Sequence, residues 1–311
     1  MNAQPDDVAV TTSVSAGVSA LASAVDFAAR PKVVISDYEF PTIGQIWHAQ
    51  ALRGAEVHVV APERLDEAID ERTSVVSITA VCYRNGVRLP VEEIAAVARS
   101  RGALTVLDAY QAAGSFPLDV AELGVDALAA GVLKYLLASA GLAFMWVRPG
   151  LAGELTPTQT GWFADRDIFE MDHRDYSPSA TARRFQSGTP PIPAIYAGIA
   201  GIELMLEIGV AETREHVNAL NERLLAGLDE LGAVVVTPRE AQRRGALICV
   251  KSTDAPVLVR ALAADRIVTS ERDGNLRVSL HAYNNEDDVD IVLAALARQR
   301  HLLAIPGSDI L

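Results

Sequence analysis

The sequence predicts an α/β protein: a mostly parallel sheet flanked by helices, followed by a small C-terminal α+β domain. Short β-type runs alternate with helical patterns up to residue 130. A long apolar helical pattern then occupies about 193–230, and strand and helix patterns resume after it. Strands separated by helices imply parallel pairing through right-handed crossovers.

In chain order, VAVTT (8–12), KVVIS (32–36), EVHVV (56–60), SVVSIT (74–79), ALTVL (103–107) and VDALAA (125–130) are strands by their β-branched, apolar character. Residues 43–54 and 91–101 carry helical spacing between them, and 141–147 is a further strand that need not be parallel. The segment 149–193, rich in Pro, Gly, Asp and Arg, is an irregular loop. After the 193–230 helix the pattern is βαββα: strand 233–237, strand 246–251, helix 255–264, strands 267–270 and 276–280, and helix 286–299. The expected domains are 1–205 and 206–311, joined through the long helix.

Composition narrows the function. Half of the 311 residues are hydrophobic and 22% are charged, which is globular composition. A formal charge of −13 argues against nucleic acid or an anionic membrane as partner. Cys82 and Cys249 are too few for a disulfide framework or a cysteine zinc site, and no metal-ligand spacing occurs. The opening MNAQPDDVAV lacks signal-peptide character, so a cytoplasmic location is expected. Positions 127–147 are long enough to span a bilayer, but Lys134 lies inside the run, and Gly131, Ser139 and Gly141 divide it into strand, turn and strand.

That lysine is one of only three, Lys32, Lys134 and Lys251, among 27 basic residues. In an apolar setting an ammonium is disfavoured, which makes the amine available as nucleophile or base. Asp108 follows the strand ALTVL, and Lys134 stands just beyond the next strand. In an open parallel sheet those carboxyl ends form one ligand-binding rim. An amine and a buried carboxylate there suit pyridoxal phosphate: a Schiff base on Lys134, with Asp108 keeping the pyridine nitrogen protonated.

The residues resemble the class V aminotransferase group of fold-type I pyridoxal phosphate enzymes, which includes cysteine desulfurases, selenocysteine lyase, kynureninase and isopenicillin N epimerase. LDAYQAAG (107–114) resembles the aspartate motif, which implies Asp108 for the pyridine nitrogen and Gln111 for the ring hydroxyl. GVLKYLLASAG (131–141) is similar to the lysine motif, and DYEFPT (37–42) to the ring-stacking segment, with Phe40 as the stacking side chain. TTSVSAG (11–17) resembles the phosphate loop, with Ser13, Val14 and Ser15 at a helix N-terminus that suits a dianion. RFQSGTPP (184–191) resembles the loop whose threonine, here Thr189, reaches the phosphate site of a homodimer partner. LRVSLHAYNNEDDVD (276–290) resembles the motif whose arginine, Arg277, clamps the substrate carboxylate, which a guanidinium meets bidentately. Trp162, in TGWFA (160–164), is a candidate wall of the substrate pocket. His48 and His281 read as structural.

Departures from the family pattern refine the expectation. Where relatives carry serine and histidine before the lysine, this chain has Gly131 and Leu133. Tyr83 stands at the desulfurases' asparagine position, which makes it a substrate-site candidate. The stretch matching the desulfurase cysteine loop, IVTSERDGN (267–275), has no cysteine, so persulfide formation is not expected. Relatives also carry a helical arm ahead of the phosphate loop, which is expected to be missing here. The implied activity is transamination or Cβ–S lyase chemistry on a small amino acid. Phe40-Pro41-Thr42 and Lys134-Tyr135-Leu136 point to a kynureninase-like hydrolase as the runner-up. The short N-terminus, Gly131 and Leu133 keep a non-catalytic relic of the fold as a competing expectation. No G-x-G-x-x-G follows any predicted strand, which opposes a dinucleotide-binding oxidoreductase.

Overall fold

A computed structural model describes residues 1–305. Two compact units emerge among them: residues 1–80, 89–114 and 118–207 form the first, and residues 81–88, 115–117 and 208–305 form the second. The 205/206 division expected from sequence falls just ahead of the observed one. It also misses the two short segments, Val81–Arg88 and Ser115–Pro117, that the second unit takes from the first half of the chain.

The first unit runs β1 (Val8–Thr11), α1 (Val14–Ala24), β2 (Lys32–Ser36), α2 (Pro41–Ala49), β3 (Glu56–Val60), α3 (Leu65–Ala68), β4 (Thr73–Thr79), α4 (Val91–Ser100), β5 (Leu104–Asp108), α5 (Val120–Leu123), β6 (Ala127–Gly131), β7 (Ala143–Val147), α6 (Leu151–Glu154) and α7 (Ile192–Ile208). Its seven strands lie in the order β1-β7-β6-β5-β4-β2-β3. β7 alone runs against its neighbours, pairing antiparallel with both β6 and β1. β1, β2, β4, β5 and β6 therefore all end at one edge of the sheet. β2, β4 and β6 are buried along their whole length, as parallel strands covered on both faces must be. Val18, Leu21, Ile43, Trp47 and Phe185 close one face of the core.

The apolar run 127–147 becomes β6, a lysine-bearing turn and β7. Among the described residues no single helix is long and apolar enough to cross a membrane. The irregular segment 149–193 contains α6 and two short 3-10 turns, Trp162–Ala164 and Ala182–Phe185.

The second unit holds α8 (Val210–Glu230), β8 (Leu247–Lys251), α9 (Ala255–Ala264), β9 (Ser270–Arg272), β10 (Asn275–Ser279) and α10 (Glu286–Arg298). The sheet order is β8-β10-β9, antiparallel throughout. Two expectations change here. The continuous 193–230 helix stops at Ile208 and restarts at Val210, because Gly209 takes φ 90°, a left-handed conformation that ends a helix. The expected strand 233–237 reduces to one bridge, Val235 to Val250. Thr237 Oγ1 accepts the Cys249 N–H at 2.8 Å, so a side chain takes the place of the next rung of the ladder.

Candidate active site

The carboxyl edge of the large sheet gathers the chemistry. Asp108 is the last residue of β5 and 5% exposed. Its Oδ1 accepts the Tyr110 N–H at 2.9 Å, and its carbonyl accepts the Ala80 N–H at 2.8 Å from beside β4. Burial pushes the carboxyl up to about 6, against the pull of the Tyr110 N–H and the positive charge of Lys134. The Schiff-base candidate and the acid are thus electrostatically coupled, as their places at neighbouring strand ends predict.

Lys134 lies in the turn between β6 and β7, half-buried, its Nζ 4.6 Å from the centre of the Tyr110 ring. An ammonium over an aromatic face is stabilised by the ring quadrupole. The turn is internally fastened: Val132 N–H donates to Leu142 O at 3.3 Å, Leu137 N–H to Lys134 O at 3.1 Å and Ala138 N–H to Val132 O at 3.0 Å. α7 packs closely on it, since a Cβ at Gly201 would lie 2.2 Å from Leu136 O.

Gly131 now has a physical reason. A Cβ built there would meet the Tyr110 ring, 2.3 Å from Cζ and 2.4 Å from Oη. The phenol fills the space that a serine side chain needs, so the departure at 131 is compensated by the tyrosine at 110. Burial, then the Asp108 charge, hold the Tyr110 hydroxyl above its ordinary pKa.

Glu39, which the sequence reading passed over, is a second buried acid at this edge. Ser36 Oγ donates to its Oε1 at 2.9 Å, while Oε2 is buried without a hydrogen-bond partner. Burial first and the Asp108 charge second hold its carboxyl well above the usual carboxylate range. The sequence signal was its position three residues past the end of β2, next to Phe40.

The remaining predicted residues divide between the units. Ser13 caps α1, its Oγ accepting the Ala16 N–H at 3.1 Å; Val14 is buried. Ser15 Oγ lies 2.9 Å from Thr42 Oγ1, so the first turns of α1 and α2 present adjoining hydroxyls. Thr42 is thereby a polar group that the phosphate-loop reading did not assign. Phe40 is 44% exposed, which excludes a core role in the isolated chain. Gln111 is buried near the end of β5. Thr189 is exposed on the loop before α7. Trp162 donates Nε1 to Ile168 O at 2.7 Å and lines a cavity of 390 Å³ with Met171, His173 and Tyr176.

Tyr83 and Arg277 belong to the second unit. Arg277 lies half-buried on β10, in register with Cys249 and Ser270. Tyr83 is half-buried in the 81–88 segment. His281 is buried and stacks on Tyr283 at 4.9 Å, its Nδ1 accepting the Ala282 N–H; His48 is exposed in the last turn of α2. Cys82 and Cys249 are free and wholly buried; burial raises both thiols, Cys249 to about 12. No group of acids, histidines and cysteines suited to a metal occurs among the described residues.

The aminotransferase class-V family model matches residues 1–292. The chain belongs to the class-V aminotransferase family. This class-V protein is 31% identical over 294 residues to the uncharacterized aminotransferase YcbU of Bacillus subtilis (strain 168), spanning 93% of this chain and 78% of that one. It is 29% identical to the isopenicillin N epimerase of Streptomyces clavuligerus, over 94% of this chain and 80% of the relative. It is also 29% identical to the kynureninase of Pseudomonas fluorescens, over 78% and 61%. In fold it is similar to an apo cysteine desulfurase from Thermococcus onnurineus NA1, with TM-score 0.87 and 21% identity, covering 96% of this chain and 80% of that one.

Pyridoxal phosphate is the cofactor of the class-V family, and the residues present fit it. A buried acid of raised pKa acts with an amine at the neighbouring strand end, hydroxyls cluster at a helix N-terminus, and an exposed aromatic ring stands beside them.

Proposed function

We propose that this class-V protein is a homodimeric enzyme acting on a small amino acid by transamination or Cβ–S lyase chemistry, with Lys134 as the residue that takes the cofactor carbonyl. When bound, pyridoxal phosphate supplies an electron-accepting ring conjugated to the substrate nitrogen. Asp108 holds the proton at the ring nitrogen, and Gln111 meets the ring hydroxyl. Phe40 keeps the ring flat. The amides and hydroxyls of Ser13, Val14 and Ser15 hold the phosphate, joined by Thr189 of the second protomer. Arg277 fixes the substrate carboxylate, and Tyr83 and Trp162 bound its side chain. The Lys134 amine would also be the group that takes the proton at substrate Cα. The observation that carries this reading is the placement at one sheet edge of Asp108, buried at the end of β5, and of the Lys134-bearing turn that follows the neighbouring strand β6.

Exposed apolar side chains of α7, Ile192, Tyr196, Ile199 and Leu206, support a dimer. The two inert thiols support chemistry without a protein persulfide, and their free state suits a cytoplasmic location. The exposed Phe40 and the likeness to kynureninase favour one second reading, a kynureninase-like hydrolase.

The test is spectral and covalent. Wild-type protein given pyridoxal phosphate turns yellow, and borohydride then fixes the label to the peptide carrying Lys134; Lys134→Ala does neither. A colourless wild type overturns the reading. Screening amino acids for released pyruvate, sulfide or alanine assigns the bond that breaks.

A further inference from the structure

The second unit buries more positive charge than its own acids answer. Arg214, Asn218, Asn221 and Glu222 recur at helical spacing along one face of α8. Arg244 is wholly buried against this face. One terminal nitrogen contacts Glu222 Oε1, the other Arg239 O, and its Nε has no partner. Arg214 donates to Ala241 O and to Arg244 O, yet its Nη1 is buried without a partner. Phe116 gathers the remaining groups: the Arg88 guanidinium lies 4.6 Å and the Arg214 guanidinium 5.6 Å from its ring centre. Among the described residues neither Arg88 nor Arg214 has a carboxylate partner, and the one acid that meets Arg244, Glu222, is itself largely exposed.

The uncharged groups are unsatisfied as well. Asn221 is completely buried with neither amide atom paired, and Asn218 Oδ1 is buried and unpaired. Unpaired buried charge and amide groups are costly, and a structure retains them where something else completes the set. Burial and the charges of Arg88 and Arg244 lower Arg214 to about 10, in keeping with an environment short of negative charge.

We propose that Arg88, Arg214 and Arg244, with Asn218 and Asn221, form a binding site in the second unit for a small oxyanion that carries a hydroxyl, such as hydrogen phosphate or bicarbonate. The charge requirement selects an anion, and the planar guanidinium fork suits an oxyanion. The unpaired set contains donors on Arg214, Arg244 and Asn221 and acceptors on Asn218 and Asn221. Chloride and a simple carboxylate only accept; a hydroxylated oxyanion both accepts and donates.

The experiment is calorimetric titration of the full chain, already saturated with pyridoxal phosphate so that the cofactor's own phosphate pocket is filled, with phosphate, bicarbonate and chloride at matched ionic strength. Saturable binding of phosphate or of bicarbonate, each identifying its own source, is expected. Arg88→Gln and Arg214→Met are each expected to weaken it about tenfold or more while leaving the yellow colour unchanged. Thermal unfolding of the same samples gives a midpoint that rises with the bound oxyanion in wild type only. No binding, binding equalled by chloride, or binding unchanged in Arg88→Gln overturns the proposal, and the wild-type titration decides the matter should Arg214→Met not fold.

Discussion

The two edges of the large sheet use the same residue types to opposite ends. At the amino edge the lysine and the acids that flank the strands are paired. Lys32, the first residue of β2, pairs with Asp70 at 2.8 Å, and Asp126, just ahead of β6, pairs with Arg148 at the end of β7 at 2.8 Å while accepting the Thr105 N–H. Arg30 caps the carbonyls of Thr73, Arg101 and Gly102. The Lys32 hydrogen bond accordingly holds the Asp70 carboxyl below its ordinary range. At the carboxyl edge the acids Asp108 and Glu39 are buried and both are pushed upward. One edge is built for stability; the other keeps its acids where a ligand can use them.

Four substitutions test that contrast, from the largest expected effect to the smallest. Lys134→Ala is expected to lower turnover by at least about a thousandfold with little change in melting temperature, measured by amino acid turnover and calorimetry. The matching loss at the amino edge should instead be structural.

Asp108→Asn separates function from stability through pH. The folded carboxyl titrates near 6 and an unfolded one near 3.8, so ionisation penalises the fold. The Asp108 contribution to stability is therefore fully present below pH 3.8 and is lost as pH rises through about 6. In cofactor-free protein the asparagine variant is expected to gain up to about 3 kcal/mol over wild type at pH 7 and nothing at acid pH, while losing activity. Denaturant titrations across the pH range measure this. A flat difference between variant and wild type would remove the strained acid from the account.

Asp126→Ala is expected to cost about 2–3 kcal/mol, because it strands the Thr105 amide and Arg148 together, with cofactor binding unchanged. Urea midpoints and cofactor titration check both halves. Gly131→Ser is expected to cost about 1–3 kcal/mol through its clash with the phenol. Adding Tyr110→Ala should restore much of that loss; thermal melts of the single and double variants supply the cycle.

Much of this edge was legible in the sequence because it follows local rules. ALTVL ends in an acid, VDALAAG leads into a lysine, and strand-helix alternation fixes both at one rim. The phosphate-loop reading found a real helix start at Val14, capped by Ser13. What escaped depends on contacts distant in sequence. Glu39 becomes a strained acid only through tertiary burial and, second, the charge of Asp108 on another strand, and Gly131 only makes sense once Tyr110 is folded over it. The break at Gly209 was written in the chain, yet the helical pattern on both sides masked it. Residues 81–88 and 115–117 join the second unit through tertiary packing that no local pattern announces.

The turn that carries Lys134, residues 132–142, is bonded across its base and held between two paired strands. Its main chain is thereby fixed at both ends, and the four-carbon stem carries Nζ to 4.6 Å from the centre of the Tyr110 ring. On the proposed function, exchange of a ligand at this amine would require rotations about side-chain bonds rather than a loop rearrangement. Such exchange would belong to the fast end of protein motion.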